Sequence, residues 1–229
     1  MFTFPITMMS SGPSGYQPAG ALMLDGSADY LTKTFSTSKL NTKGTYSFWI
    51  KRSVLGTSQT FFSVGSGGSG ADANWFTADW DSSNQLNVRT YDATRLKPTQ
   101  VFRDPAWQHF VIRVDTTDGT AGDRLKIYLN GAEITAFATD STLGSSANVN
   151  MSGNGSPFLI GQWNSGAYFS GYIADFIFID DTELDASSFG ETDEDTGIWV
   201  PKDPSTISSF GTNGFWLDFS DGSDIGNDV

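Results

Sequence analysis

The chain carries one histidine, His109, and no cysteine. A Ser-His-Asp constellation or a His-Cys metal cluster would have to run through that single residue, and thiol chemistry is excluded. His109 stands next to Phe110 in an alternating run that begins at Trp107. That setting predicts a packed or hydrogen-bonded framework role rather than catalysis. Retaining glycoside hydrolysis needs two carboxylates about 5 Å apart across a cleft. The best-spaced acids are Glu191, Asp193 and Asp195, at alternate positions. Thr192 and Glu194 lie between them, so no apolar set pins the run in a sheet, and a catalytic pair has to be held rigidly. The run reads as a solvated acidic loop. Gly65 to Gly70 lacks the following Lys and the helix that a phosphate cradle needs. The expectation is a protein that is not an enzyme.

Two binding chemistries remain. Calcium takes oxygens from carboxylates, carbonyls and water. The turn Asp25-Gly26-Ser27-Ala28-Asp29 can aim two carboxylates and a carbonyl at one spot. Asp29 is alternatively a turn-former before Tyr30. Asp175 interrupts an apolar run, Tyr172-Ile173-Ala174 before it and Phe176 to Ile179 after it. A carboxylate there is costly to bury unless it is paired or metal-bound. The alternatives are that it faces solvent, or that a backbone N–H or Arg113 satisfies it. Sugar binding wants exposed aromatic rings over a concave sheet, with amides and carboxylates beside them. Trp49, Trp75, Trp80, Tyr91 and Trp163 are the candidate platforms. Each can equally be a core residue, since a sandwich of this size needs many large side chains.

The elements that must position these residues are strands. Tyr46, Phe48 and Ile50 alternate with Ser47, Trp49 and Lys51; Phe110, Ile112 and Val114 alternate with His109, Val111 and Arg113. Leu86, Val88 and Thr90 repeat the pattern, and Asn130-Gly131 is a strong hairpin signal. About ten short strand candidates separated by turn residues predict an all-β protein. Helical spacing survives for about a turn only, at Ser36 to Leu40 and Leu184 to Phe189. Residues 1–20 read as an extended arm rich in Gly and Pro, in which Phe2, Phe4 and Ile6 could add an edge strand to a neighbour or to this chain's own sheet. Residues 21–189 form the sandwich. Residues 190–229 are a C-terminal extension that packs back on it through Trp199 and Phe210, with a loose tail from Asp221 onward.

Charge narrows the partners. There are 26 acids against 13 bases, a net charge of -13. Such a surface repels nucleic acid and anionic membranes, although general acidity also suits a saline environment. No apolar run is long enough to span a bilayer, and the first nine residues lack the basic region of a signal peptide.

The strands carry a series of short motifs: Leu24-Asp25-Gly26-Ser27-Ala28-Asp29-Tyr30-Leu31, Tyr46-Ser47-Phe48-Trp49-Ile50-Lys51, Trp107-Gln108-His109-Phe110, Lys126-Ile127-Tyr128-Leu129-Asn130-Gly131 and Gly171-Tyr172-Ile173-Ala174-Asp175-Phe176. In this order and spacing they resemble the laminin-G-like, concanavalin A-like lectin/glucanase superfamily over residues 21 to 186. The resemblance implies a two-sheet antiparallel jelly-roll sandwich. It implies a structural calcium between Asp25 and Asp175, with Asp29 beside them. It also implies that glucanases of this fold would carry a Glu-Asp-Glu set on one strand, from which Glu191, Asp193 and Asp195 depart in their third acid. Gly197-Ile198-Trp199-Val200-Pro201-Lys202 and Phe210 to Phe219 are similar to segments of structural proteins of tailed bacteriophages, particularly marine ones.

That resemblance implies a virion component. Extended arms agree with it, since they are entropically costly unless something orders them, and a partner can supply that. The leading expectation is a non-enzymatic virion structural protein that assembles with other virion proteins, as a homo-oligomer, a trimer by first guess. The alternative expectation is a carbohydrate-binding module that recognises host surface glycans.

Overall fold

The computed structural model describes residues 2–4, 15–37, 39–65, 75–90, 93–153, 155–163 and 165–229. Fifteen of its seventeen strands fall in two antiparallel sheets. The first sheet runs in the order β1 (Phe2–Phe4), β2 (Ala21–Asp25), β14 (Ser170–Asp180), β4 (Lys43–Arg52), β9 (Gln108–Asp115), β10 (Leu125–Leu129) and β11 (Ala132–Glu133), with β17 (Phe215–Leu217) also on β14. The second runs β12 (Phe137–Asp140), β8 (Ala93–Pro98), β7 (Leu86–Thr90), β6 (Phe76–Trp80), β5 (Gln59–Val64), β13 (Phe158–Ile160) and β3 (Leu31–Lys33). β15 (Gly190–Thr192) and β16 (Trp199–Pro201) make a separate ribbon. Sequence neighbours in the first sheet are often not spatial neighbours, as a two-sheet jelly roll requires. None of the described residues forms a helix long and apolar enough to cross a membrane.

The alternation that predicted the strands also builds the core. Tyr46, Phe48, Ile50, Phe110, Ile112 and Val114 point inward from the first sheet to meet Phe62, Val64, Phe76, Ala78, Trp80, Leu86 and Val88 from the second. The rings interlock: Phe48 stacks on Phe176 at 5.5 Å, Phe62 stacks on Phe158 at 5.9 Å, and Phe62 meets Phe176 edge-on at 5.7 Å. Each fully buried ring contributes roughly 1.5–3 kcal/mol. That aromatic density explains how the sandwich holds without a disulfide.

Two expectations need correction. Neither stretch with helical spacing is a helix. Residues 36–37 and 39–40 are irregular, and only a short 3-10 turn, Ala186–Ser188, stands in the second stretch. The tail beyond Asp221 is tied down: Val229 N–H donates to Trp216 O at 3.0 Å, and Asp228 accepts from Trp216 N–H at 2.8 Å. The N-terminal strand pairs with β2 of its own chain, Phe2 opposite Met23, while Ile6 lies outside the described residues.

β14 is the hinge of the first sheet. One edge pairs with β4 along its length, with a register shift between Ala174 and Ile177. The other edge pairs first with β2, up to Ile173 opposite Leu22, and then with β17, from Phe176 opposite Leu217. Asp175 sits at the seam in a left-handed conformation, φ 42°.

Candidate functional site

A sandwich offers a ligand two outer faces, and the chain treats them differently. On the first sheet the outward positions include Trp49, His109, Val111, Ala174, Ile177 and Ile179, which are buried. The C-terminal segment covers them: Phe189, Trp216 and the partly buried Trp199, Ile207 and Phe210 pack there. Trp199 lies so close over Gly131 and Gly190 that a Cβ on either would stand 2.5 Å from its ring. Its indole Nε1–H donates to His109 Nδ1 at 3.0 Å. Nδ1 is therefore an acceptor, the imidazole is neutral, and Nε2–H donates to Ser47 Oγ at 2.8 Å. Burial depresses the His109 pKa to about 3. His109 is a framework residue that anchors Trp199.

A pH dependence follows. The folded pKa lies below the ordinary value of 6.5, so the unfolded chain takes up the proton first. Stability from a neutral His109 is complete above about pH 6.5 and is lost as pH falls toward 3. Urea midpoints at pH 7 and 4.5 should show wild type losing stability relative to His109→Gln. Parallel losses would place the imidazole in water.

The outer face of the second sheet is polar. Ser63, Thr77, Asp79, Asn87 and Arg89 alternate with inward Phe62, Val64, Phe76, Ala78, Trp80, Leu86 and Val88. They are also cross-strand neighbours: Ser63 faces Thr77, Thr77 faces Arg89, and Asp79 faces Asn87. Outward polar residues are usually wet, yet Thr77 is 0%, Asn87 3% and Asp79 5% exposed. They are covered, and of the row only Arg89, its side chain 29% exposed, reaches the surface. Arg89 lies 6.0 Å from the ring of Trp163, which packs on the buried Trp75 with centroids 5.2 Å apart. The loop that carries Trp163 is tied down by Ser63 Oγ, which donates to Gln162 O at 2.7 Å, and by reciprocal backbone bonds between Trp163 and Gly166. Trp163 is only half-buried, yet its Nε1 is enclosed and has no hydrogen-bond partner.

Asp79 organises the row. Arg89 Nη2 donates to its Oδ2 at 3.2 Å, and Arg89 Nε lies 3.1 Å from Oδ1. Asn87 Nδ2 donates to Oδ2 at 3.3 Å, and Thr77 Oγ1 to Oδ1 at 3.4 Å. Burial pushes the Asp79 pKa up to about 6, against the pull of Arg89, Asn87 and Thr77. Asp81, two residues on, accepts from Lys97 Nζ at 2.7 Å and from the N–H groups of Ser83 and Gln85. Burial acts to raise its pKa, but these donors outweigh it and hold the carboxyl low. Both acids at alternate positions are thus committed to protein partners.

The aromatic candidates divide. Trp75 and Trp163 come together beside the polar row, but Trp75 is buried and only Trp163 keeps part of its ring exposed. Trp49 is closed off on the opposite face, stacked on His109 at 4.7 Å. Trp80 points inward and is fully buried. Both are corrections with one physical cause: each ring is already covered, Trp49 by the C-terminal segment and Trp80 by the other sheet. Tyr91 lies outside the described residues.

The calcium candidates do not converge. Ser170 stands opposite Asp25, so Asp175 is five residues further along β14, about 16 Å at ~3.3 Å per residue. Asp25 closes its own turn, accepting from Ser27 N–H at 2.8 Å and Ser27 Oγ at 2.7 Å. Asp175 accepts from Tyr16 and Trp216, not from Arg113. Among the described residues no three His, Cys, Asp or Glu side chains gather in a metal-binding group. The acids named for calcium do not fit the ion.

An apolar cleft of about 130 Å³ lies elsewhere, lined by Leu31, Phe35, Phe158, Phe215 and Leu217 among others. Thr32, Lys33 and Asp228 also line it.

The family model for the concanavalin A-like lectin/glucanases superfamily matches residues 25–186. No curated protein sequence matches the chain. Among solved structures, domain 4 of AbnA, an extracellular GH43 arabinanase from Geobacillus stearothermophilus solved with arabinotriose, is similar at 19% identity and TM-score 0.52, over 78% of this chain and 77% of that one. Domains LG4-5 of the mouse laminin alpha1 chain are similar at 11% identity and TM-score 0.50, over 79% of this chain and 48% of that one. At these identities the likeness is one of fold.

Proposed function

The chain belongs to the concanavalin A-like lectin/glucanases superfamily, and we propose that it binds carbohydrate, without chemistry, on the outer face of its second sheet, at Trp163 and Arg89. One observation carries this reading: the half-buried ring of Trp163 stands beside Arg89, the exposed end of a cross-strand polar row. An apolar ring face beside fixed donors and acceptors is what a sugar, apolar on one side and hydroxylated at its edge, requires. The arabinotriose bound to domain 4 of the arabinanase supports a sugar ligand for this fold.

Assembly in a virion, the function the sequence put first, rested on the resemblance of residues 197–202 and 210–219 to phage structural proteins and on the two arms. The C-terminal segment packs on the chain's own sheet as expected, through Trp199, Phe210 and Trp216, and the fold's sugar-binding relative favours the carbohydrate reading over assembly. Catalysis is not part of the reading, because Asp79 and Asp81 are both held by cations and N–H groups.

The test is a glycan array on folded protein, followed by titration of the best ligand against Trp163→Ala. That substitution should weaken binding by about tenfold or more, ~1.4 kcal/mol, with little change in melting temperature, because the ring is half-exposed on a loop. Folded wild type that binds no glycan, or an Ala variant that binds equally well, would overturn the reading.

A further inference from the structure

We infer that this face selects neutral, hydroxyl-rich glycans and turns away anionic ones, because the cations it presents are already closed onto its own carboxylates. This rests on the carbohydrate-binding reading above.

Anionic sugars carry a carboxylate, sulfate or phosphate, and a protein usually receives these on a free guanidinium or ammonium. Arg89 is the cation beside Trp163, its guanidinium carbon 6.0 Å from the ring. It donates from Nη2 to Asp79, and its Nε lies 3.1 Å from the same carboxylate without a hydrogen bond. Lys97 is paired with Asp81 at 2.7 Å. Arg95, on the next strand, is turned onto the Thr90 carbonyl and the Ser141 hydroxyl. A guest carboxylate that drew Arg89 away would strand Asp79 as an unpaired charge in a nearly closed site. Breaking a buried pair in that way is strongly unfavourable. The net charge of -13 adds a long-range repulsion against the same guests.

What remains for a ligand is the half-buried ring of Trp163 beside the partly exposed Arg89, Lys97 and Asp81, donors next to an acceptor. A hydroxyl both donates and accepts, so it can answer each of these, whereas a carboxylate only accepts. The chemistry that fits is a neutral sugar presenting adjacent hydroxyls.

The experiment has three arms. Wild type is applied to matched neutral, sialylated, uronate and sulfated glycans. The best ligand is then titrated at low and high salt. Finally Asp79→Asn, which keeps the outline of the side chain but removes its charge, is run on the same set. Expected are binding to neutral glycans, little change with salt, and a gain of about tenfold in affinity of Asp79→Asn for carboxylated glycans that salt then weakens. Wild type that prefers anionic glycans, with affinity falling as salt rises, overturns the inference and leaves carbohydrate binding standing. Neutral binding with no gain for a folded Asp79→Asn overturns the Arg89 argument. Should Asp79→Asn fail to fold, the wild-type preference and salt dependence decide alone. Folded wild type that binds no glycan overturns the underlying function instead.

Discussion

Trp80→Ala is expected to lower the unfolding free energy by about 3–5 kcal/mol. The ring is fully buried and meets Phe61 edge-on at 4.2 Å, with Phe102, Phe110 and Phe169 around it. Arg52 lies over its other contact surface, guanidinium carbon 4.0 Å from the ring centre. Removing the indole opens a cavity between the sheets and takes away the face on which a nearly buried cation rests. Arg52 has one hydrogen bond, from Nη1 to Phe102 O at 3.1 Å, and no carboxylate in contact. The loss should therefore exceed that of a purely apolar neighbourhood. A domain of this kind holds about 5–15 kcal/mol in total, so the variant should be close to unfolding. Trp80→Phe should recover much of the difference. Urea denaturation of the two variants is the measurement. An Ala variant that keeps wild-type stability but loses glycan binding would return Trp80 to the sugar-binding set and move the ligand away from Trp163.

The contrast between Trp80 and Trp163 shows what a sequence can and cannot display. Alternation reveals which side of a strand a residue occupies, and it places Tyr46, Phe48 and Ile50 on the core side without ambiguity. It is silent on what covers the other side. Trp49 alternates outward as a ligand platform should, yet the C-terminal segment, brought back from about 150 residues away, lies over it. The polar row Thr77, Asp79, Asn87 and Arg89 was legible as outward-facing by the same alternation. Its meaning depends on cross-strand register and on depth, and neither is written in local spacing. Strands β8 and β12 have the sequences ATRLKP and FATD, with little apolar alternation. They form because β7 and β8 offer edges to pair with. Asp175 announced itself as an acid among apolar residues. Its partners, one of them 159 residues away, could not be read from that position.

Asp175 itself yields the second large effect. Tyr16 OH donates to both carboxylate oxygens at 3.0 Å, and Trp216 Nε1–H donates to Oδ1 at 3.0 Å. One side chain thus clasps a residue before β2 to a residue of β17, at the seam where β14 changes partner. The left-handed φ of 42° suits Asp, Asn or Gly and disfavours Ala by about 1–2 kcal/mol. Asp175→Ala also leaves the Trp216 donor buried without an acceptor, a further ~1–3 kcal/mol. The combined loss is expected to be about 2–5 kcal/mol. Asp175→Gly should fall between, since it relieves the backbone but not the hydrogen bonds. Asp175→Asn should be mildest, since it keeps the φ preference and an acceptor for Trp216. The charge adds a pH signature. Burial pushes the Asp175 pKa up to about 7, from 3.8, against the pull of its two hydrogen bonds. The folded state therefore holds a proton that the unfolded chain has released, and stability falls as pH rises between about 4 and 7. Asn has no such proton. Plotted as wild type minus Asp175→Asn, which cancels His109 and Asp79, the urea-derived stability should fall across that window by an amount on the order of a few kcal/mol. A flat difference would mean that Asp175 stays ionised throughout, its two donors outweighing its burial. An Ala variant as stable as Asn would mean that neither the backbone nor the clasp depends on this residue.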